Sequence, residues 1–140
     1  YEGISIPNTF IKIPNCNSLL ITDSLDGVVY KINFNSTWSS VQGIEKWFNL
    51  SCTKTTPDGG CISSDGRIFL AIWDGFKIVE LNLNGELIKE FEMPIPRPTN
   101  CTLNTEENKL FVTSAYEGLS DNDRNKYPLS GSIFTIDINK

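Results

Sequence analysis

The chain repeats itself, and the repeat constrains its fold more than any other feature. The run Ser18-Leu-Leu-Ile-Thr-Asp-Ser-Leu-Asp-Gly-Val-Val-Tyr-Lys-Ile-Asn-Phe34 is echoed by Arg67-Ile-Phe-Leu-Ala-Ile-Trp-Asp-Gly-Phe-Lys-Ile-Val-Glu-Leu-Asn-Leu83. A third copy, Lys109-Leu-Phe-Val-Thr-Ser-Ala115, is separated by an insertion from its partner run, Ser132-Ile-Phe-Thr-Ile-Asp-Ile138. The copies start at residues 18, 67 and 109, intervals close to the length of one four-stranded propeller blade. Within each copy, β-branched and aromatic runs are broken by Asp26-Gly27, Asp65-Gly66, Asp74-Gly75 and Asn84-Gly85, dipeptides that accept the positive φ angles of tight hairpins. No long amphipathic helix is expected.

The pattern predicts an all-β fold of about three blades. Blade one has strands near residues 9–13, 18–23, 27–34 and 44–50. Blade two has them near 60–63, 67–73, 76–83 and 86–93. Blade three has them near 100–103, 109–114 and 131–138 and lacks a fourth. The polar segment from Tyr116 to Pro128 reads as a surface excursion with room for one helical turn. Blades stack face to face, so an arc of three leaves two apolar end faces. A homodimer or a missing N-terminal half is therefore expected to cover them. The chain opens on Tyr1 rather than Met, which suggests a fragment or a processed product.

Composition excludes several classes of function. The longest apolar stretch, Ile68 to Trp73, is too short to span a bilayer, and a net charge of -5 without Lys/Arg clusters argues against nucleic acid. There is no histidine, so neither a Ser-His-Asp triad nor a mixed Cys/His zinc site can form. Of the four cysteines, Cys61 and Cys101 fall inside apolar strand patterns and read as buried free thiols, which favours a reducing, cytoplasmic setting. Were they paired, as in a secreted protein, four cysteines would allow three connectivities. The Asn-x-Ser/Thr matches at Asn35, Asn49 and Asn100 are no more than chance supplies in so Asn-rich a chain.

The candidate chemistry lies just before the first strand of each blade, at Ile6-Pro7-Asn8, Thr56-Pro57-Asp58-Gly59 and Arg97-Pro98-Thr99-Asn100. Innermost strands of a propeller line a central channel, so Asn8 and Asp58 are expected to face each other at one mouth. Proline fixes the backbone ahead of each polar side chain, and Gly59 permits a sharp turn behind Asp58. An amide oxygen and a carboxylate on rigid supports are hard donors suited to Ca²⁺, Mg²⁺ or Mn²⁺, and in an enclosed site to Zn²⁺. Pro-Asn and Pro-Asp-Gly are also ordinary turn formers, and spacing alone does not separate the two readings.

Three further sets of residues bear on identity. Thr56-Pro-Asp-Gly-Gly-Cys-Ile-Ser-Ser-Asp-Gly-Arg-Ile-Phe-Leu-Ala-Ile-Trp73 resembles the Pro-Asp-Gly, Asp-x-x-Gly, aromatic-x-Ala-x-Trp/Tyr segment of the SMP-30/gluconolactonase/regucalcin-like (LRE-like) family. Gly3-Ile-Ser-Ile-Pro-Asn8 is similar to its entrance motif. Pro96-Arg-Pro-Thr99, Leu110-Phe-Val-Thr-Ser-Ala115 and Pro128-Leu-Ser-Gly-Ser-Ile-Phe134 are similar to its closing blade. The resemblance implies the C-terminal three blades of a six-bladed propeller and metal-assisted hydrolysis of a sugar lactone or related ester. It implies Asn8 and Asp58 as metal ligands, with Asp58 also the general base, and Ca²⁺ as the cation expected. The family's glutamate ligand and its substrate contacts belong to the N-terminal half. Thr9 replaces the usual glycine after the entrance asparagine and could narrow the approach to the metal. Leu103-Asn104-Thr105 replaces an expected Phe-Gly-Gly, a change assigned to an outer turn. An alternative is a non-catalytic half-propeller that binds calcium or a protein partner.

Other constellations are read as structural. Asp121-x-Asp123-x-Asn125 begins like an EF-hand loop, but Lys126 and Ser132 stand where glycine and the bidentate glutamate are required. Trp38, Trp47 and Trp73 read as core aromatics. Glu106 and Glu107 read as turn charges.

Overall fold

A computed structural model of the chain describes residues 2–50 and 54–138; Cys52, and the Asn49 glycosylation match that runs into residue 51, therefore lie wholly or partly outside the described residues. The first sheet is an antiparallel meander of β1 (Pro7–Lys12), β2 (Ser18–Asp23), β3 (Val28–Phe34) and β4 (Val41–Asn49). The second is built in the same way from β5 (Thr56–Ile62), β6 (Ile68–Trp73), β7 (Lys77–Leu81) and β8 (Leu87–Glu92). The third has β9 (Pro98–Leu103), β10 (Lys109–Ser114) and β11 (Ile133–Asp137), in the order β11-β10-β9 among the described residues. The first strands of successive sheets lie against one another, β1 on β5 and β5 on β9, which is the radial packing of propeller blades.

The middle blade explains why Ile68 to Trp73 is continuously apolar instead of alternating. Its strand β6 is covered on both faces, as a sandwiched strand must be. Ile68, Leu70 and Ile72 point one way and meet Ile11, Leu20 and Val29 of the first blade. Phe69 and Ala71 point the other way and meet Cys101, Leu110 and Val112 of the third. Every residue from Ile68 to Ile72 has no accessible surface. Two apolar seams therefore hold three sheets, and deleting a side chain such as Leu70 or Phe69 would open a cavity costing about 2–5 kcal/mol.

Polar clasps fix the angle between blades at the outer turns. Trp47 donates its indole N–H to the Leu83 carbonyl at 3.0 Å, tying the first blade to the second. Glu107, expected to be only a turn charge, accepts from the Ser64 N–H at 2.9 Å and from its hydroxyl at 2.7 Å, tying the second to the third. Leu103-Asn104-Thr105 lies where β9 hands over to the outer turn, where Asn104 Oδ1 accepts from the Asn108 and Lys109 N–H groups.

Two local expectations are refined by the structure. At Asp74-Gly75 the positive φ falls on Asp74 (58°) and Phe76 (56°), whereas in the other three turns it falls on Gly27, Gly66 and Gly85. The EF-hand-like run forms α1 (Asp121–Lys126), whose first turn is closed by Ser120: its hydroxyl accepts from the Asp123 N–H. Asp121 and Asp123 there complement the helix N-terminus, so the segment is a capped helical turn.

Candidate functional site

The three prolines that precede the candidate residues begin or lie next to the start of the three innermost strands, where a missing N–H breaks no central ladder. Just behind each proline the strand pairing slips. The shift lies between Asn8 and Phe10 in β1, between Pro57 and Gly60 in β5, and opposite Thr113/Ser114 in β9, which places it at Thr99. A bulge of this kind re-aims the side chains at its site. The irregularity recurs three times: it leaves Thr9 in β1, Asp58 and Gly59 in β5 and Thr99 in β9 outside the regular pairing, with Asn8 still paired to Thr22 directly ahead of the first. Glycine is needed at position 59 for contact, not for φ: a Cβ there would lie 2.5 Å from the Asn100 side chain, because β5 and β9 approach so closely at the bulge.

The structure brings Asn8 and Asp58 together and leaves Thr99 apart. Asn8 and Asp58 line one open cavity of about 510 Å³, together with Ile6, Ser24, Leu25, Lys54, Thr56, Trp73 and Asp74. Thr99 is paired with Thr113, hydroxyl to hydroxyl at 2.8 Å. Trp73, expected in the core, is half-buried on the cavity wall, with the Arg97 guanidinium 4.7 Å above its ring. Arg97 also donates from Nε to Asp74 at 2.6 Å and from Nη1 to the Glu117 carbonyl, so the wall beside Trp73 is pinned from three directions.

The two candidate ligands are held by a relay that the sequence did not reveal. Ser24 donates its hydroxyl to the Pro57 carbonyl at 2.8 Å and accepts from Asn8 Nδ2 at 3.4 Å. With Nδ2 engaged, Oδ1 is the Asn8 atom available to a cation. Thr9 does not stand in the cavity: it is buried, and its hydroxyl donates to the Asp58 carbonyl, stitching β1 to β5 at the bulge. The expectation that Thr9 obstructs the approach to the site gives way to a role in holding Asp58. Beneath the entrance, the buried Asp23 carboxylate accepts from the N–H groups of Ser5 at 2.8 Å, Ile6 at 3.2 Å and Leu25 at 3.2 Å. Burial opposes that charge, yet these bonds and one from the Asp26 N–H outweigh it and hold Asp23 below the usual carboxylate range. A polar residue that ends a strand one position before a Ser is too common a pattern to have signalled either role.

Asp58 differs from Asp23 in kind. Burial pushes its carboxyl up to about 6, although the Lys54 side chain belongs to the same cavity wall. A desolvated carboxylate beside an amide oxygen fixed by its own N–H₂ is a donor set that fits a divalent cation or a water-activating base. It is also incomplete: among the described residues, no three acidic or cysteine side chains converge. Asn8 and Asp58 are the donors expected from the sequence, and the Asp74 carboxylate, held by Arg97, lines the same cavity.

Comparison with known proteins gives this geometry a context. The chain is 25% identical over 138 residues to regucalcin of Xenopus laevis, covering 97% of this chain and 46% of that protein. With regucalcin of Homo sapiens it shares 23% over 116 residues, covering 81% and 39%. It thus spans less than half the length of these relatives. The fold superposes on a calcium-binding regucalcin from Agrobacterium tumefaciens with a TM-score of 0.86 at 24% identity, over 95% of this chain and 46% of that one. It superposes on a gluconolactonase from Xanthomonas campestris with a TM-score of 0.69 at 17% identity, over 80% and 36%. Both are β-propeller matches in fold. Residues 1–116, which include all three bulged entrances and the whole middle blade, match the family model of the SMP-30/Gluconolactonase/LRE-like region, and the chain belongs to that family.

Proposed function

We propose that this chain forms the C-terminal three blades of a six-bladed propeller and supplies Asn8 and Asp58 to a divalent-cation site that hydrolyses a sugar lactone or a related small ester. The observation that carries this reading is the desolvated Asp58 carboxylate, which shares one cavity with Asn8. A divalent cation, when bound, would supply Lewis-acid polarisation of the ester carbonyl. Asp58 would orient a water molecule and take its proton as that water attacks. In the metal-free chain burial holds Asp58 near 6, so it is ionised at neutral pH and available as a ligand or base. Asn8 Oδ1 would hold the cation, and Trp73 would offer an apolar wall to a sugar ring. Ca²⁺ is the cation proposed, with Zn²⁺, Mg²⁺ and Mn²⁺ as alternatives. The free thiols Cys16, Cys61 and Cys101 support a cytoplasmic setting.

Two ligands make a weak site, so the remaining donors come from a missing N-terminal half or from a second copy of the chain. The end faces fit such a completion, since Phe10 on the first blade and Ile133 on the third are 73% and 72% exposed. The same incompleteness supports a second reading, a half-propeller that binds calcium or a protein partner without turnover. An aldonolactone hydrolysis assay on the assembled, metal-loaded protein, run beside calorimetric titration with Ca²⁺, separates the two. The hydrolase reading expects turnover that Asp58→Asn reduces by at least about 100-fold. Saturable Ca²⁺ binding without turnover supports the second reading, and neither binding nor turnover refutes both.

A further inference from the structure

Away from the cavity, the seam between the second and third blades holds two thiols. Cys61 on β5 and Cys101 on β9 have their sulfurs 3.9 Å apart, although 40 residues separate them in sequence. A formed disulfide needs about 2.05 Å, so the two sulfurs must approach each other for the bond to form. The two strands already touch nearby, where Gly59 and the Asn100 side chain leave no room for a Cβ. We propose that Cys61 and Cys101 form a reversible two-electron thiol–disulfide site, oxidised by a hydroperoxide and reduced by a dithiol, that covalently locks the second blade to the third.

The surroundings give the two sulfurs different tasks. Cys101 is 5% exposed, packed among Phe69, Leu110 and Val112, with the Phe69 carbonyl 3.6 Å from its sulfur. Cys61 is only half-buried and reachable by a small oxidant. The thiol–thiol contact, in which either sulfur could donate, lowers the Cys61 value against the opposing effects of burial and the Glu107 charge, while the same contact and burial raise Cys101. Cys61 is thus the attacking thiolate, and Cys101 keeps its proton until the second step. In the first step the Cys61 sulfur attacks one peroxide oxygen and the O–O bond breaks. This gives Cys61 sulfenic acid and a hydroxide, which becomes water with the proton Cys61 had lost. In the second step the Cys101 sulfur attacks the Cys61 sulfur, and its proton leaves with the hydroxyl as a second water. Two thiols are oxidised and one peroxide is reduced. A dithiol reverses the bond by exchange.

The test uses the chain with Cys16 and Cys52 both changed to serine, so that only this pair can react, beside the wild-type chain. Each is treated with one equivalent of hydrogen peroxide and quenched with N-ethylmaleimide. The expected product of the two-cysteine chain has lost both alkylatable thiols and is about 2 Da lighter than its reduced form, two hydrogens. Trypsin should release residues 55–67 joined to residues 90–109. The thermal midpoint should rise by several degrees and return after dithiothreitol. Replacing Cys101 by alanine should leave a Cys61 sulfenic acid that dimedone traps. Retention of both thiols, oxygen addition to Cys61 without the joined peptides in the paired chain, or a bond between two molecules would each overturn the proposal.

Discussion

Exchange of Asp58 for asparagine should make the metal-free protein more stable at alkaline pH and no more stable in acid. The folded-state value of Asp58 is about 6 against an ordinary 3.8, because burial disfavours the charge. Between those values the folded chain binds more protons than the unfolded one. Stability therefore falls as pH rises from about 4 to 6 and stays lower above. A full conversion of that displacement gives about 3 kcal/mol. The side chain is only half-buried and opens on a solvent-filled cavity, so screening reduces the figure to about 1 kcal/mol. Asn has nearly the same shape and no charge. In EDTA at pH 8 it should raise the thermal midpoint by about 3 °C, and at pH 3.5 it should leave the midpoint unchanged. Urea melts of the two proteins at both pH values measure the difference. An equal effect at the two pH values, or a loss of stability at pH 8, would refute the burial argument. Added Ca²⁺ should stabilise the wild type alone if Asp58 is a ligand.

Thr9→Val keeps the shape of the side chain and removes the donor to the Asp58 carbonyl, so urea melts should show a loss of about 1 kcal/mol, and calorimetry a weaker Ca²⁺ affinity as the bulge loosens. Asp23→Ala leaves the N–H groups of Ser5, Ile6 and Leu25 without their acceptor and should cost about 2–3 kcal/mol at pH 7. Because the folded Asp23 value is depressed, its stabilisation is present above the unfolded value near 3.8 and is lost as pH falls through the folded value, so the deficit of this variant should shrink in melts below pH 4.

What the sequence made legible follows from what each feature depends on. The strands were legible because β-branched runs and Gly-bearing turns are local. The apolar run from Ile68 stood out in the sequence only as too short for a membrane span; its burial on both faces depends on the neighbouring blades and came from the structure. The pairing of Asn8 with Asp58 could be anticipated from repeat position, since equivalent residues of successive blades converge. The relay through Ser24, the anchoring by Thr9 and the clasp between Glu107 and Ser64 could not, because each joins residues of different strands or blades by a single contact with no periodic signature. Trp73 was misread for a related reason. Aromatic type and strand position predict burial, but whether a strand end meets the core or the channel mouth depends on the neighbouring blade.

The bulges tie the separate parts of the proposed site to one physical cause. A regular strand would point Asn8 and Asp58 along the ordinary alternation, one residue toward a seam and the next away from it. Slippage behind Pro57 frees Asp58 from that alternation, and the slip at Thr9 falls directly behind Asn8, which stays paired with Thr22 at the mouth of the same cavity. The same slippage removes backbone ladder bonds at the point where β1 meets β5, and Thr9 and Ser24 replace them with bonds across the blades. Cation affinity and inter-blade stability are therefore coupled through the same few residues. On the proposed reading, whatever covers the exposed Phe10 face, two residues from Asn8, would stiffen the β1 bulge while delivering the missing donors, so completing the propeller and completing the site would be one event.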